Sequence, residues 1–447
     1  MKRKKKVLIV TYYWPPAGGP GVQRWLKFAK YLPDFGWEPI IYTPDNPSYP
    51  LTDETLLREV PKNLEVVKTK IWEPYQIAEK FSKSNKKFKG GQFDVGKNQS
   101  LLSQLSIFIR GNFFIPDARK FWVKPSVQFL KPYLKSHDID VLVTTGPPHS
   151  MHLIGLELKK ELPHLKWIAD FRDPWTEISY YKHLKLTSNS DKKHRQLEQQ
   201  VFRTADVTLA TSFTDAENFR KKGANAFCIT NGFDETERVG LGALEHSRVA
   251  DLNGMTTRQR AFTLGYVGVL EQLRNPENLW KALKHLCQSN ADFAEDFELK
   301  FVGRIDDVIL QQIRLLGLEQ AVRHLGYLPH AESVMEMQSS SVLLITNFPN
   351  EASQGIIPGK LFEYLATGNK IISFGPKDAD VRTILEKTGA GKHFDYSEVE
   401  SIQDYILESY EAWKDGNSDA SLANIEEFSR KALTKKLAIV LNDLVEG

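Results

Sequence analysis

The chain has 447 residues, 41% hydrophobic and 26% charged, with a formal net charge of +3. That balance fits a soluble globular protein and excludes disordered, collagen-like and disulfide-scaffold classes. The length predicts two domains, and the near-neutral charge argues neither for nor against nucleic acid. Cys228 and Cys287 are the only cysteines and lie far apart, so a reducing compartment is expected and a disulfide framework is not.

The start, Met1-Lys2-Arg3-Lys4-Lys5-Lys6, is basic like a signal n-region. Val7 to Tyr13 is short, however, and leads to Trp14-Pro15-Pro16 and not to a small-residue cleavage site. No stretch reaches the roughly 18 apolar residues of a membrane-spanning helix. The reading is a first strand, Val7–Thr11, in a cytoplasmic protein.

That strand runs into Pro15-Pro16-Ala17-Gly18-Gly19-Pro20-Gly21-Val22-Gln23-Arg24, and a helical pattern follows. Glycines between a strand and a helix let backbone approach a ligand, so Gly19 is a candidate binding position; a tight turn that needs glycine sterically is the alternative. The loop is neither G-x-G-x-x-G nor a P-loop. Pro39–Tyr42 is the next strand. Residues 80–97 then hold six lysines against Asp94, and Leu101, Leu102, Leu105, Phe108 and Ile109 share one helical face. A basic stretch beside an amphipathic helix can lie on anionic membrane, so 80–115 is a candidate surface contact. A solvated loop with a core-facing helix is the plainer reading.

Strand Val141–Thr145 ends in Gly146-Pro147-Pro148-His149-Ser150, which puts His149 at the mouth of a helix as a cap, a packing residue or an acceptor-side contact. Strand Trp167–Ala169 leads to Asp170-Phe171-Arg172-Asp173-Pro174-Trp175. Alternation sends Asp170 and Arg172 the same way, and Asp173 closes the strand. Clustered charges there are costly to bury without a task or a partner. They are candidate catalytic residues, with a structural Asp–Arg pair as the alternative. Val207–Ala210 and Phe227–Ile229 complete the first half. Asn231 to Arg260 lacks periodicity and contains the linker.

The second half has strands Leu264–Val267, Leu299–Val302, Val342–Ile345 and Lys370–Ser373. Gly268 follows the first of these, with Arg274 before the next helix, and Gly303-Arg304 ends the second. Arginine near a glycine turn at a helix start suits a diphosphate. Gly326 to His330 forms a later turn, with His330 expected as a helix cap. After Val342–Ile345 comes a loop with Gly355, then Pro358-Gly359-Lys360-Leu361-Phe362-Glu363-Tyr364 opens a helix that stops at Gly368. Lys360 suits a phosphate and Glu363 suits two ribose hydroxyls. Ser421 to Val445 is amphipathic and predicts a helix packing on the body. No metal-ligand spacing and no G-x-S-x-G elbow occurs, so no metal and no cofactor are expected.

Strands alternating with longer helical runs predict an α/β protein of two doubly wound Rossmann-like domains facing across a cleft. The expected boundaries are 1–235, a linker at 236–260, a second domain at 261–420, and the C-terminal helix at 421–447.

The motifs from Pro15-Pro16-Ala17 through Asp170–Trp175, Asn231-Gly232-Phe233-Asp234, Gly265–Gly268 and Pro358–Tyr364 together resemble a glycosyltransferase of the GT-B fold, in the broad family 4 group that builds bacterial polysaccharides and lipid-linked sugars. The resemblance runs nearly end to end. It implies a nucleotide-sugar donor in the C-terminal domain and a saccharide or lipid-linked acceptor in the N-terminal one. Retaining, metal-independent, hexosyl-type transfer is also implied, with the leaving phosphate taking the acceptor's proton. It further implies a cytoplasmic or peripheral enzyme on the inner face of the cell membrane, with no nucleic-acid partner. Glu363 matches the second glutamate of the family's E-x7-E motif, and Gly355 stands where the first is usual. Gln354, Glu351 or amides near Gly355 are the substitutes. Arg274 and Lys360 match the diphosphate clamp. Arg172 occupies the position of a common histidine, whose role passes to Asp170, Arg172 or Asp173. A GT-B nucleotide-sugar epimerase and a catalytically silent sugar-nucleotide-binding scaffold are the competing readings.

Overall fold

Runs rich in Val, Ile, Leu and Phe, apolar at nearly every position, form strands buried on both faces. In the computed structural model they assemble into two all-parallel sheets. The structure describes residues 3–74, 101–178, 181–234, 261–416 and 423–447. The basic stretch 80–97 and the expected linker at 236–260 lie outside those residues. The chain divides into one unit of Met1–Thr230 with Arg430–Gly447 and another of Asn231–Ser429.

The first unit contains β1 (Lys5–Val10), β2 (Trp37–Pro44), β3 (Glu65–Thr69), β4 (Val141–Gly146), β5 (Lys166–Phe171), β6 (Val207–Ala210) and β7 (Ala226–Cys228). Their order is β3-β2-β1-β4-β5-β6-β7. Register is set by alternation. Val7 and Ile9 of β1 point into a core shared with helices Pro20–Tyr31 and Arg430–Glu446. Leu8 and Val10 point the other way, onto helices Val123–Ser136, Ser150–Glu161 and Ser188–Thr204. A one-residue slip would exchange the two faces.

The C-terminal helix Arg430–Glu446 belongs to this first unit. It buries Leu433, Leu437 and Leu441. Its Asn442 accepts from Lys5 at 2.9 Å and from the Trp37 indole at 3.2 Å.

The second unit contains β8 (Phe262–Val267), β9 (Phe297–Val302), β10 (Val322–His324), β11 (Val342–Thr346), β12 (Lys370–Phe374) and β13 (Gly391–Phe394), ordered β10-β9-β8-β11-β12-β13. Val342 and Leu344 face helices Glu277–Ser289 and Glu400–Lys414, whereas Leu343 and Ile345 face helices Lys360–Thr367 and Asp380–Thr388. No helix of the described residues is long and apolar enough to cross a membrane.

All ten strands expected from the sequence fall on observed ones. Strands β3, β10 and β13 were not expected. They are sheet edges and much of their surface is open to solvent, so they lack the continuous apolar run that marks a buried strand.

Leu437 is fully buried in the core beneath β1. Leu437→Ala should therefore destabilise the first unit by about 2–5 kcal/mol, measured as a lower urea midpoint of its unfolding transition.

Candidate functional site

In each sheet the strand order reverses once, between β1 and β4 and between β8 and β11. At such a point the loops leaving the strand ends diverge and open a crevice at the carboxyl edge, where ligands of open α/β sheets bind. Each unit therefore has its own candidate site.

In the second unit, Gly268 leaves β8 with φ of 127° and Gly303 leaves β9 with φ of 108°. A Cβ on Gly303 would lie 2.2 Å from the Gly268 carbonyl oxygen, so the two turns close only with glycine. Lys360 is the first residue of helix Lys360–Thr367, which has no side-chain cap. Its amides and ammonium thus converge on one helix start, a natural anion site. The Lys360 ammonium donates to the Val267 carbonyl at 3.0 Å and sits 3.9 Å from the Tyr266 ring centroid. Tyr364, one turn on, accepts from the Val267 amide at 3.1 Å. One helix thus grips both backbone groups of the last β8 residue.

Arg274 ends the short turn Gln272–Arg274. Its guanidinium donates to the Val269 carbonyl at 2.8 Å, meets Glu271 at 3.3 Å and lies 5.3 Å from the Phe348 ring. Its Nε is buried and has no hydrogen-bond partner. Burial and then the nearby Arg274 charge push the Lys360 ammonium down to about 7, while Glu363 pulls it back up. Two cations held this close favour an anion between or beside them.

Glu363 is half-buried and shares a small recess with His330, Val334, Met337, Gln338, Ala366 and Thr367. The expectation that His330 caps its helix is corrected: Pro329 is the N-cap, and exposed His330 begins the helix at the recess rim. Gly355 lies in the loop after β11. The loop is fixed by Asn347, which donates to the Ile356 carbonyl at 2.8 Å, and by the Asp380 amide, which donates to the Gln354 carbonyl at 2.9 Å. Glu351 is exposed and Gln354 half-buried on either side of Ser353. Sequence reading missed Tyr396, whose hydroxyl bridges the Asn347 and Arg274 carbonyls at 2.6 and 3.1 Å. Nothing in its local pattern marks a residue that acts across more than a hundred positions.

In the first unit the three expected acidic and basic residues separate. Asp170 has no exposed side-chain surface and cannot meet a substrate, so its catalytic assignment is corrected. Arg24 pairs with it at 2.9 Å, Trp25 donates at 2.7 Å and Thr145 donates at 2.8 Å. Arg24 also donates to the Ile229 and Thr230 carbonyls. The pair therefore joins β4, β5, the first helix and the chain beyond β7. The expected Asp–Arg pairing exists, but with Arg24 as the partner.

Arg172 donates to the carbonyls of Gly21 at 2.8 Å, Gly146 at 3.3 Å and Pro147. It is a positioning residue that locks the loops after β1, β4 and β5. A Cβ on Gly21 would lie 2.3 Å from the guanidinium, so a larger residue there would push Arg172 out of this arrangement. Gly19 is the N-cap of helix Pro20–Tyr31 at φ 94°, and a Cβ there would meet nothing within 4 Å, so its backbone angle, not crowding, selects glycine. Asp173 is exposed at the strand end.

His149 occupies the N-cap position of helix Ser150–Glu161 without capping it. Asp117 caps instead, accepting from the Ser150 amide at 2.9 Å. The His149 ring lies flat on Trp175, with centroids 5.0 Å apart. Both ring nitrogens are buried without a partner. Burial, then His152, Arg172 and His194, hold it neutral, well below the ordinary histidine range. His152 is pushed down to about 3 by burial and Arg172. The Trp167 indole donates to the Thr144 hydroxyl, which faces His152 Nδ1 at 3.0 Å. Among the described residues no three His, Cys, Asp or Glu side chains form a metal-ligand group.

No protein-family model and no curated protein matches the chain. Solved structures do. Sucrose-phosphate synthase from Thermosynechococcus elongatus matches with a TM-score of 0.57 at 13% identity, over 99% of each chain. A glycosyltransferase from Rickettsia africae matches at 0.55 and 14%, over 99% of each chain. A putative UDP-N-acetylglucosamine 2-epimerase from Listeria monocytogenes matches at 0.50 and 12%, over 99% of this chain and 97% of that one. At these identities the likeness establishes the fold, two Rossmann-like domains of the GT-B type, as expected.

Two outcomes follow from this geometry. Asp170→Ala leaves Arg24 buried and unpaired and should cost about 3–5 kcal/mol; urea unfolding checks it, and Arg24→Met with Asp170→Leu should recover part of the loss. Separately, a bound anion favours the Lys360 ammonium. Affinity for a nucleoside diphosphate should therefore fall as pH rises from about 7 to 8.5, approaching tenfold per unit once free Lys360 is neutral. Calorimetry across that range reads the slope, and Lys360→Met should flatten it.

Proposed function

We propose that the chain is a glycosyltransferase that moves a sugar from a nucleoside-diphosphate donor to an acceptor hydroxyl, in the assembly of a cell-surface polysaccharide or glycolipid. The observation that carries this reading is the convergence of Lys360, Arg274 and Gly268 on an uncapped helix start at the switch point, with Glu363 one turn further on.

The reaction breaks a sugar C1–oxygen bond to a diphosphate. Negative charge grows on the leaving β-phosphate. Lys360, Arg274 and the free amides at the helix start would stabilise that charge without a metal ion, by fixed electrostatics in a poorly hydrated place. Glu363, with its carboxylate at the recess, would accept from the ribose hydroxyls. Transfer with retention, in which the departing phosphate takes the acceptor's proton, needs no protein nucleophile. The acceptor is assigned to the first unit, on the side of the loop between β4 and helix Ser150–Glu161 that carries His149. Were a side chain to take that proton in place of the phosphate, exposed Asp173 would be the carboxylate available there. With Gly355 in place of the usual first glutamate, the sugar hydroxyls would fall to Gln354, Glu351 and loop amides.

Lys360→Ala and Glu363→Ala should each weaken nucleoside diphosphate binding by roughly 1–3 kcal/mol. Calorimetry against uridine, guanosine, adenosine and thymidine diphosphates tests this, and unchanged affinity in both variants removes the donor site. Gly355 also favours one other outcome, binding without turnover. A protein that binds donor yet shows neither transfer nor slow donor hydrolysis across a broad acceptor panel is a scaffold.

A further inference from the structure

A lysine taken out of water is normally paired with a carboxylate. Lys300 meets Glu336 at 2.9 Å, Lys27 meets Glu59 at 2.7 Å and Lys159 meets Asp206 at 2.8 Å. Lys360 differs. Among the described residues it forms no ion pair, and its hydrogen bond goes to the neutral Val267 carbonyl. Burial, and then the Arg274 charge, bring it down to about 7, against the pull of Glu363. At neutral pH such a group is in large part a free amine, whereas an exposed lysine is almost wholly ammonium.

Geometry decides where the lone pair of that amine points. The nitrogen has three directions besides its bond to Cε. One N–H goes to the Val267 carbonyl at 3.0 Å, and a second faces the Tyr266 ring, whose centroid is 3.9 Å away. The third direction, clear of both partners, holds the lone pair. A Cβ on Gly268 would stand 3.3 Å from the nitrogen, so glycine keeps the space beside it open. The same place favours an anion. Helix Lys360–Thr367 starts without a side-chain cap, and Arg274 has a buried Nε with no hydrogen-bond partner. A small molecule that is an anion at one end and an electrophile at the other would be held there with its reactive carbon beside the amine.

We propose that Lys360 is a site of acylation by acyl phosphates, which enter the diphosphate site by their phosphate group. The Nζ lone pair adds to the acyl carbon, and a carbon–nitrogen bond forms. The carbon–oxygen bond to the phosphoryl group breaks, and phosphate leaves with that electron pair. The surplus proton on nitrogen passes to the departing phosphate. The products are an amide at Lys360 and inorganic phosphate, with no further reactant. The amide keeps one N–H for the Val267 carbonyl, so the local structure is retained while the positive charge is lost. Acylation therefore closes the anion site, and a bound diphosphate in turn shields the lysine. The inference rests on the anion-binding part of the sugar-transfer reading and is independent of the nucleoside, the sugar and the transfer step.

The full chain is incubated at neutral pH with acetyl phosphate, and acetylation at each lysine is followed by peptide mass spectrometry. Lys360 should react about tenfold faster or more than exposed Lys281 and Lys435, because the gain in free amine outruns the loss in basicity. Inorganic pyrophosphate should slow Lys360 severalfold and leave Lys281 and Lys435 unchanged. N-hydroxysuccinimidyl acetate, an acyl donor without phosphate, should show a smaller preference for Lys360. Arg274→Gln should bring Lys360 toward the rate of the exposed lysines. Thermal unfolding shows whether that variant is folded, and pyrophosphate protection of the unaltered chain keeps the test decisive if it is not. A rate at Lys360 no faster than at Lys281, no protection by pyrophosphate, or equal preference with both acyl donors overturns the inference. The sugar-transfer reading fails separately. If acetyl phosphate selects Lys360 and pyrophosphate shields it, yet no nucleoside diphosphate binds in calorimetry, the acylation site stands and the donor assignment falls.

Discussion

A carboxylate with no exposed surface must be matched by donors at nearly every lone pair, and Asp170 is the point where the first unit meets that demand. Arg24, Trp25 and Thr145 supply the donors. They come from the first helix and from β4, so the match forms only when those elements and β5 stand in one arrangement. The remaining guanidinium donors of Arg24 take the carbonyls beyond β7. Such a pair is weak evidence for added stability over an apolar replacement, but breaking it is costly. Its effect here is to fix the ends of β4 and β5. Arg172, the residue just past the end of β5, then holds the loops that leave those ends.

The same criterion separates structural charge from functional charge. Asp170 and Arg24 are saturated by protein. Arg274 keeps a buried Nε without a partner, and His149 keeps two such ring nitrogens. Lys360 is held by a single carbonyl and a ring face, with a second cation near enough to depress its pKa. Buried polar groups without partners are uncommon, and each calls for an explanation. At the switch points of doubly wound sheets, a polar ligand is an explanation that also accounts for the glycine turns beside them.

The central strands were legible because burial on both faces leaves mostly apolar residues. Gly268, Lys360 and Glu363 were legible because a strand-turn-helix succession places them at a strand end whatever the details. The identity of Asp170's partner was not legible: Arg24 lies on an amphipathic helix, separated from it by most of the first unit's chain, and its pattern reads as solvated. Leu105, Phe108 and Ile109 show a related limit. Their spacing declares one helical face but not which way that face turns. Here Gly111 lets the opposite side approach Leu184, so the spaced apolar residues end outside.

Gly355 sits where loop structure and ligand chemistry meet. The loop that carries it is held by Asn347 and by the Asp380 amide, both backbone-directed contacts that do not depend on the side chain at 355. A glycine there is therefore compatible with an intact loop. On the proposed reading, the sugar would lack a directed carboxylate acceptor from this position. Such a site would bind the nucleotide and select the sugar by shape and backbone contacts. On the same reading, discrimination among hexoses would rest on the half-buried Gln354 and the loop backbone, and the grip on ribose and phosphate on Glu363, Lys360 and Arg274.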